Sequence, residues 1–221
     1  MTIAKRSARR PIADQMYDVL MRQLLDGERM AGETLNIGAL TRELNVSQTP
    51  LREALARLEH TGLVYREALK GYRVANPLSD REVDKLFEAR SVLEPALAYE
   101  AALRTTPEFL EELRGTVDEL ADASTHADEE TDSFRHYWHS DAEFHRLIAA
   151  QSDNPFLEHS YLALTGHMQR FRLFTKRGRT GAAAAAREHR VVLDALQKSD
   201  PDGAREQMRQ HLLDARARLL S

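Results

Sequence analysis

The feature that most constrains the fold is a pair of short apolar helical patterns, joined by very few residues, in the stretch LNIGALTRELNVSQTPLREALARLEH. The apolar side chains of the first helix recur at helical spacing, at Ile37, Leu40 and Leu44. Ser47 is a typical N-cap for the second helix, and Pro50 is tolerated in its first turn. The apolar face of the second helix is formed by Leu51, Leu55 and Leu58. The spacing predicts two helices around a turn at Asn45-Val46, ending near Gly62.

The elements on either side of these helices complete a recognisable order. The preceding stretch PIADQMYDVLMRQLLDGE carries an apolar helical stripe at Ile12, Met16, Val19, Leu20 and Leu24. The following stretch LVYREALKGYRV is typical of two short strands around a turn near Lys70 and Gly71. A helix, a helix–turn–helix and a hairpin, in that order, predict a winged helix-turn-helix domain.

The rest of the chain is helical in pattern after a break at VANPLSD. Pro77 disfavours helix just before it, and Ser79 with Glu82 forms a capping box that opens a long helix. Breaks near Asn154-Pro155, Gly178, Gly181 and Ser199-Asp200-Pro201 divide the remainder into about six or seven helices. We therefore predict a mostly α protein, with a winged helix-turn-helix domain over 1–75, a linker over 76–80 and an all-α helical bundle over 81–221. Five alanines at 182–186 are strong helix formers and predict the exposed start of one of these helices.

Charge is divided unevenly along the chain. The net charge is −4, but residues 1–75 carry 12 Lys and Arg against 9 Asp and Glu. A basic first third on an acidic body indicates an anionic partner for that third, and Lys5, Arg6, Arg9 and Arg10 form a basic arm of the kind that follows DNA. Cysteine is absent, which excludes disulfides, thiolate metal sites and cysteine nucleophiles. No apolar run approaches the roughly 18 residues of a membrane helix and no secretory signal is present, so we expect a cytoplasmic protein that avoids membranes.

The residues LNVSQTPLREALARLEHTGLV, with Lys70 and Gly71 behind them, resemble the GntR family of bacterial transcription regulators. The resemblance implies that double-stranded DNA is contacted by Ser47, Gln48, Thr49, Arg52, Lys70 and Gly71. The physical chemistry agrees, because the first residues of a helix in the major groove face bases and phosphates. Arginine suits a guanine edge and glutamine an adenine edge. Many relatives carry arginine where Gln48 stands, so the operator sequence cannot be transferred from the family.

Two residues in DAEFH, residues 141–145, raise the question of a metal. Asp141 and His145 are four apart and share a helical face, which by itself favours a surface ion pair. His189 and His211 sit in later helical runs, from which both can point inward. Carboxylate and imidazole ligands without thiolate suit Zn, Ni, Mn or Fe. The remaining six histidines are predicted to be surface or packing residues: His60, His126, His136, His139, His159 and His167.

Residues 79–221 resemble the ligand-sensing FCD domain of the FadR-like GntR subfamily. The stretches that carry this resemblance are LFEARSVLEPALAYEAA, DAEFHRLIAAQSDNP and EHRVVLDALQKSDPDGAREQMRQHL. The resemblance implies that a divalent metal, most simply zinc, is held by Asp141, His145, His189 and His211. It also implies a small carboxylate effector beside the metal, with Arg90 as its clamp and Asn154 and Arg172 as weaker candidates. The alternatives are a salt bridge from Arg90 to Glu94 and a helix cap at Asn154.

These observations predict a DNA-binding transcription regulator, in this family most often a repressor, that binds a pseudo-palindromic operator as a homodimer. A metal-dependent hydrolase built on a helical bundle is the competing interpretation. It would need an open metal and a general base, and the sequence contains no H-E-x-x-H, G-x-S-x-G or P-loop motif. A purely architectural DNA-binding protein would leave the second domain unexplained. We therefore expect a sensor of small molecules and no enzyme.

Overall fold

The computed structural model describes residues 10–68, 70–125, 131–174 and 181–220, without the side chains of 124–125, 131–136 and 172–174. The described residues form two compact units, Met1–Asn76 and Pro77–Ser221. We call them the winged unit and the helical unit. The helices of the described residues are α1 Ile12–Leu25, α2 Ile37–Glu43, α3 Gln48–His60, α4 Asp80–Ala102, α5 Pro107–Thr125, α6 Thr131–Gln151, α7 Pro155–Phe174, α8 Ala182–Gln197 and α9 Pro201–Leu220. The strands are β1 Thr34–Leu35, β2 Val64–Glu67 and β3 Gly71–Val74.

The winged unit has the predicted helix–turn–helix and hairpin. Its antiparallel sheet has the strand order β1-β3-β2, in which Val64 pairs with Val74 and Leu35 with Tyr72. The apolar side of α3 is completely buried, through Leu51, Leu55 and Leu58. Burial of one face leaves the opposite face of α3 in solvent. The two-residue strand β1 was not predicted, because so short a segment carries no period-2 pattern and forms only where β3 offers it a partner.

The hairpin turn depends on one glycine. Gly71 has a φ of +100°, and a Cβ at this position would lie 3.1 Å from the carbonyl oxygen of Leu35. Any other residue would meet both backbone strain and a steric conflict with β1. The glycine therefore lets the hairpin turn tightly against the neighbouring strand.

The helical unit is a bundle in which α4 packs on α9, and α5 packs on both α6 and α8. The capping box at the start of α4 is confirmed: Ser79 Oγ accepts from the amide of Glu82, and Glu82 accepts from the amide of Ser79. The core includes the large, fully buried side chains of Phe87 on α4 and Phe144 on α6. The residues of the candidate metal site lie on α6, α8 and α9 of this bundle.

The alanine run was only partly interpreted correctly. Residues 182–186 do begin α8, but Ala182, Ala185 and Ala186 are buried, so the predicted exposed face is wrong. They pack with Leu120 and Tyr137 from the neighbouring helices. Small side chains allow α8 to approach its neighbours closely. The sequence alone does not show whether alanines are present for such packing or for their high helix propensity. Among the described residues no helix is long and apolar enough to span a bilayer.

Candidate DNA-contacting surface and metal centre

The first turn of α3 presents polar side chains to solvent. Ser47 stands at the N-cap without a side-chain hydrogen bond to the helix, and Ser47, Gln48, Thr49 and Arg52 are all exposed. Arg52 Nη2 donates to Gln48 Oε1 over 3.3 Å, so the two side chains act as neighbours on one helical face. Backbone amides and hydroxyls at a helix start can bind phosphate, while an exposed guanidinium can reach a base edge.

The turn between β2 and β3 adds a second cationic point. Lys70 is exposed, and its Nζ lies 3.0 Å from Glu67 Oε1. Glu67 also pairs with Arg73 at 2.8 Å. Solvent-exposed pairs of this kind contribute little to stability, so Lys70 can exchange Glu67 for a phosphate at small cost. Lys5, Arg6 and Arg9 of the predicted basic arm lie outside the described residues.

Three histidines from three helices meet inside the helical unit. His145 lies on α6, His189 on α8 and His211 on α9, and their exposed fractions are 4%, 0% and 4%. One ring nitrogen of each lies within 4.8 Å of the others, and the ring centroids are 4.6–5.2 Å apart. The ring of His189 also stacks on Phe144 at 3.9 Å. Three enclosed imidazoles at this separation form a set of donors that a divalent ion could bind.

The cluster leaves a buried polar atom without a hydrogen-bonding partner. Nε2 of His145 is buried and makes no hydrogen bond with any described residue. An orphaned buried polar group costs about 1–3 kcal/mol, which coordination to a metal would offset. Asp141, the fourth predicted ligand, is also buried and lies beside the cluster, with its Oδ1 3.6 Å from His189 Nε2. The donor set therefore fits a divalent metal with imidazole and carboxylate ligands.

Two further carboxylates surround the histidines. Glu94 Oε2 lies 2.7 Å from His145 Nδ1, and Glu188 Oε2 lies 2.8 Å from His211 Nδ1. Burial would raise the pKa of Glu94, but the charge of Arg90 and the contact with His145 outweigh it and lower the pKa to about 2. Burial would likewise raise the pKa of Glu188, and hydrogen bonds from His211 and Arg218 lower it instead. Both carboxylates are therefore anionic near neutral pH.

The protonation of His211 also suits a metal ligand. Burial lowers the pKa of His211 below its usual value, even though the hydrogen bond to Glu188 acts in the opposite direction. The ring is therefore neutral near pH 7. A metal binds the neutral imidazole, so no proton has to be removed before coordination.

Two small cavities adjoin the cluster. The first cavity is lined in part by His211 and Arg218, together with Phe171 and Gly181. The second is lined in part by His145, together with Trp138 and Gln169. Both cavities also contact Arg90, Asp141 and Met168. Each has a volume of about 30 Å³. At roughly 10–15 Å³ per water, each cavity has room for about two waters. An organic acid would need the side chains between the two cavities to move.

The three predicted effector residues, Arg90, Asn154 and Arg172, differ in whether they line a cavity. Arg90 lines both cavities but forms a buried bidentate ion pair with Glu94, while its Nη1 lies 3.4 Å from Met168 Sδ. Asn154 does not line either cavity, and its Oδ1 caps α7 by accepting from the amides of Phe156 and Leu157 at 3.2 Å. The side chain of Arg172 lies outside the described residues.

Sequence reasoning missed three charged residues of the site. Glu94 and Glu188 contact histidines of the cluster, and Arg218 holds Glu188 while lining a cavity. A weak signal was present, because Arg218 follows His211 by seven residues and so shares its helical face. The four other histidines whose side chains are described, His60, His139, His159 and His167, are exposed as expected.

A winged helix-turn-helix followed by a helical bundle with an enclosed polar centre is typical of DNA-binding transcription regulators. The profile of the FCD domain matches residues 85–214, and that of the bacterial regulatory proteins of the gntR family matches residues 12–74. The chain belongs to the GntR family and carries an FCD domain. It is a DNA-binding transcriptional regulator and not an enzyme, and the hydrolase interpretation has no support from these matches.

Individual relatives agree with this assignment over nearly the full length. The chain is 31% identical to the uncharacterized HTH-type transcriptional regulator YcbG of Bacillus subtilis, over 96% of this chain and 91% of that protein. It is 26% identical to the HTH-type transcriptional repressor RspR of Escherichia coli, over 91% and 86%. The fold of the solved structure of E. coli McbR/YncC is similar, with a TM-score of 0.70 at 23% identity, over 96% of this chain and 98% of that one.

Proposed function

We propose that the protein is a ligand-responsive repressor that binds a pseudo-palindromic operator as a homodimer. A small carboxylate effector, held beside a divalent metal, sets its affinity for DNA. The observation that carries this proposal is the enclosed cluster of His145, His189 and His211, in a chain whose other unit exposes the polar first turn of α3. Relatives named as repressors support the direction of regulation.

The metal would be held by the three histidines together with Asp141, with zinc as the first candidate and Ni, Mn or Fe as alternatives. When bound, the ion supplies a positive charge that attracts a carboxylate. The protein contributes an enclosed site, because all four side chains are at most 4% exposed. Because charges are screened weakly inside the helical unit, the electrostatic energy between two charges near the cluster is larger than it would be on the surface.

The effector would lie where the two cavities approach each other. Arg90 and Met168 separate the cavities, and the unbranched side chain of Met168 can change rotamer more easily than a branched one. Arg90 and Arg218 are the cationic groups that a carboxylate would meet there. Both are already paired with glutamates, so an effector carboxylate would share or replace an existing partner.

The homodimer would give each operator half-site one recognition helix. Val92 and Phe156 on the helical unit are 75% and 84% exposed, more than the other exposed large apolar side chains of the described residues. Single apolar side chains are common on protein surfaces, so these two are positions at which a polar substitution would test the proposed contact between protomers. Light scattering after size exclusion should give a mass near 50 kDa, twice that of the 25.1 kDa chain.

The experiment joins DNA binding to metal and effector in one assay. The protein is titrated onto labelled DNA from upstream of its own gene, and a panel of carboxylates, sugar acids and dicarboxylates selected by thermal shift is then added. We expect one of these acids to release the wild-type protein. The double variant His145→Ala with His189→Ala should bind the DNA but not respond. An equal response of the double variant and the wild type would refute the proposed sensing site.

A further inference from the structure

Two of the three histidines in the cluster have a carboxylate at the same ring atom. Glu188 on α8 lies 2.8 Å from Nδ1 of His211 on α9, and Glu94 on α4 lies 2.7 Å from Nδ1 of His145 on α6. In each case the carboxylate and the histidine come from different helices. The repeated arrangement leaves Nε2 of both rings as the nitrogen that can face an ion.

Each of these carboxylates is also held by an arginine. Arg218 donates from Nη2 to Glu188 Oε2 over 2.9 Å and from Nη1 to Glu188 Oε1. Arg90 holds Glu94 in the same two-pronged manner, through Nε and Nη2. An arginine fork neutralises and orients a carboxylate that would otherwise be costly to keep in a buried place. The two glutamates are thus fixed in position as well as in charge.

An ionised carboxylate can only accept a hydrogen bond, so the ring atom that faces it must carry the proton. This requirement selects the Nδ1–H tautomer and leaves the lone pair on Nε2. The 2.8 Å contact at His211 has the geometry of a hydrogen bond, whereas the 2.7 Å contact at His145 does not. The requirement is therefore strongest for His211.

We propose that Glu188 and Glu94 are positioning residues of the metal site, which orient His211 and His145 so that Nε2 of each faces the ion. This inference rests on the proposed metal binding. Carboxylates behind ligating histidines fix the ring and raise its basicity, and their loss typically weakens metal affinity by about 10–100-fold. The competing role is structural, with Glu188 serving only to tie α8 to α9 through Arg218.

The decisive measurement is the zinc dissociation constant, obtained by competition with a chromogenic chelator for the full-length protein. We expect Glu188→Ala to weaken zinc binding by about 10–100-fold. Glu188→Gln should recover part of this loss, because its amide oxygen can still accept from Nδ1–H. Arg218→Gln removes the arginine fork but leaves the Glu188 carboxylate within reach of Nδ1–H of His211, so we expect a loss smaller than that of Glu188→Ala. Glu206→Ala removes an exposed glutamate paired with Arg209 and serves as the matched control.

A second readout needs no variant. Long-range ¹H–¹⁵N spectra of the wild-type protein, with and without zinc, should show His211 and His145 protonated at Nδ1, and zinc should shift the Nε2 resonances. An Nε2–H tautomer for His211 in the zinc-bound protein would overturn the proposal even if Glu188→Ala did not fold. So would an unchanged dissociation constant in Glu188→Ala, or an Arg218→Gln variant as weak as Glu188→Ala. If the wild-type protein bound no zinc, nickel, manganese or iron, the proposed function would fail instead.

Discussion

In the winged unit the side chains that would read DNA stand in solvent, whereas in the helical unit the histidines are enclosed by packed helices and their carboxylates are buried or partly buried. Arg52 and Gln48 are exposed neighbours on one helix, while His189 is completely buried and its partners in the cluster come from two other helices. The first arrangement places few demands on the fold, because water solvates the polar groups until DNA replaces it. The second requires each charge to have a partner inside the protein.

The difference between the exposed and the buried site predicts how substitutions in each will affect stability and binding. Substitutions on the exposed face of α3 should change binding with little effect on stability, since surface changes usually stay within about 0.5 kcal/mol. Substitutions around the histidines should change the stability of the helical unit and its metal binding together, because the same buried contacts contribute to both. The predictions below probe this difference, from the largest expected effect to the smallest.

The largest effect should come from Arg90→Met, which keeps much of the volume but leaves Glu94 in the interior without its arginine. Removing one partner of a buried ion pair typically costs about 3–5 kcal/mol. Urea denaturation of the metal-free protein should show a loss of this size. The matched control is Arg209→Met, whose pair with Glu206 is exposed and should contribute little to stability. Equal losses in both variants would contradict the contrast.

The next effect concerns metal retention. His189→Ala removes the completely buried member of the cluster, and we expect the dialysed variant to lose its bound metal and the rise in melting temperature that zinc gives the wild type. Inductively coupled plasma mass spectrometry and thermal denaturation measure the two quantities. His159→Ala changes an exposed histidine and should behave as wild type. Stoichiometric metal in His189→Ala would exclude the cluster as the site.

In the winged unit, Arg52→Ala should weaken specific operator binding by about 1–3 kcal/mol and relax the preference at one base position. Fluorescence anisotropy with the operator and with single-base variants measures both effects. The melting temperature should not change, because Arg52 is exposed and its side-chain hydrogen bond within the described part of the chain is to its neighbour Gln48. Unaltered specific binding would show that the first turn of α3 is not the reading surface. Arg209→Ala, in the helical unit, provides the control.

The smallest effect should come from Lys70→Ala at the tip of the hairpin. A lysine that contacts only phosphate contributes equally to all DNA sequences, so affinity should fall uniformly and the slope of log K against log salt should decrease by about 1. Titrations at several salt concentrations, on operator and unrelated DNA, separate this from base reading. Lys85→Ala is the control in the helical unit, and a loss confined to the operator would argue for a base contact.

Sequence reasoning served the two units unequally. In the winged unit, the helix–turn–helix, the hairpin and the glycine turn follow from neighbouring residues, because local spacing sets both the fold and the exposed face. In the helical unit, the histidines were identified through the resemblance to a family, since the spacing of Asp141 and His145 alone favours a surface pair. Glu188 was overlooked because its partner His211 is 23 residues away on another helix.

The sequence by itself therefore determined what depends on short-range order: the breaks before Pro155 and Pro201, the capping box at Ser79, the elements of the winged unit and the residues on the exposed face of α3. Only the tertiary structure decided that the three histidines meet and that Glu94 and Glu188 stand behind two of them. It also decided that three of the alanines at the start of α8 are buried. The physical reason is that a helical pattern shows which side of a helix is apolar but not which helix it meets. A buried polar site is formed by side chains from several helices, so it depends on which helices pack together.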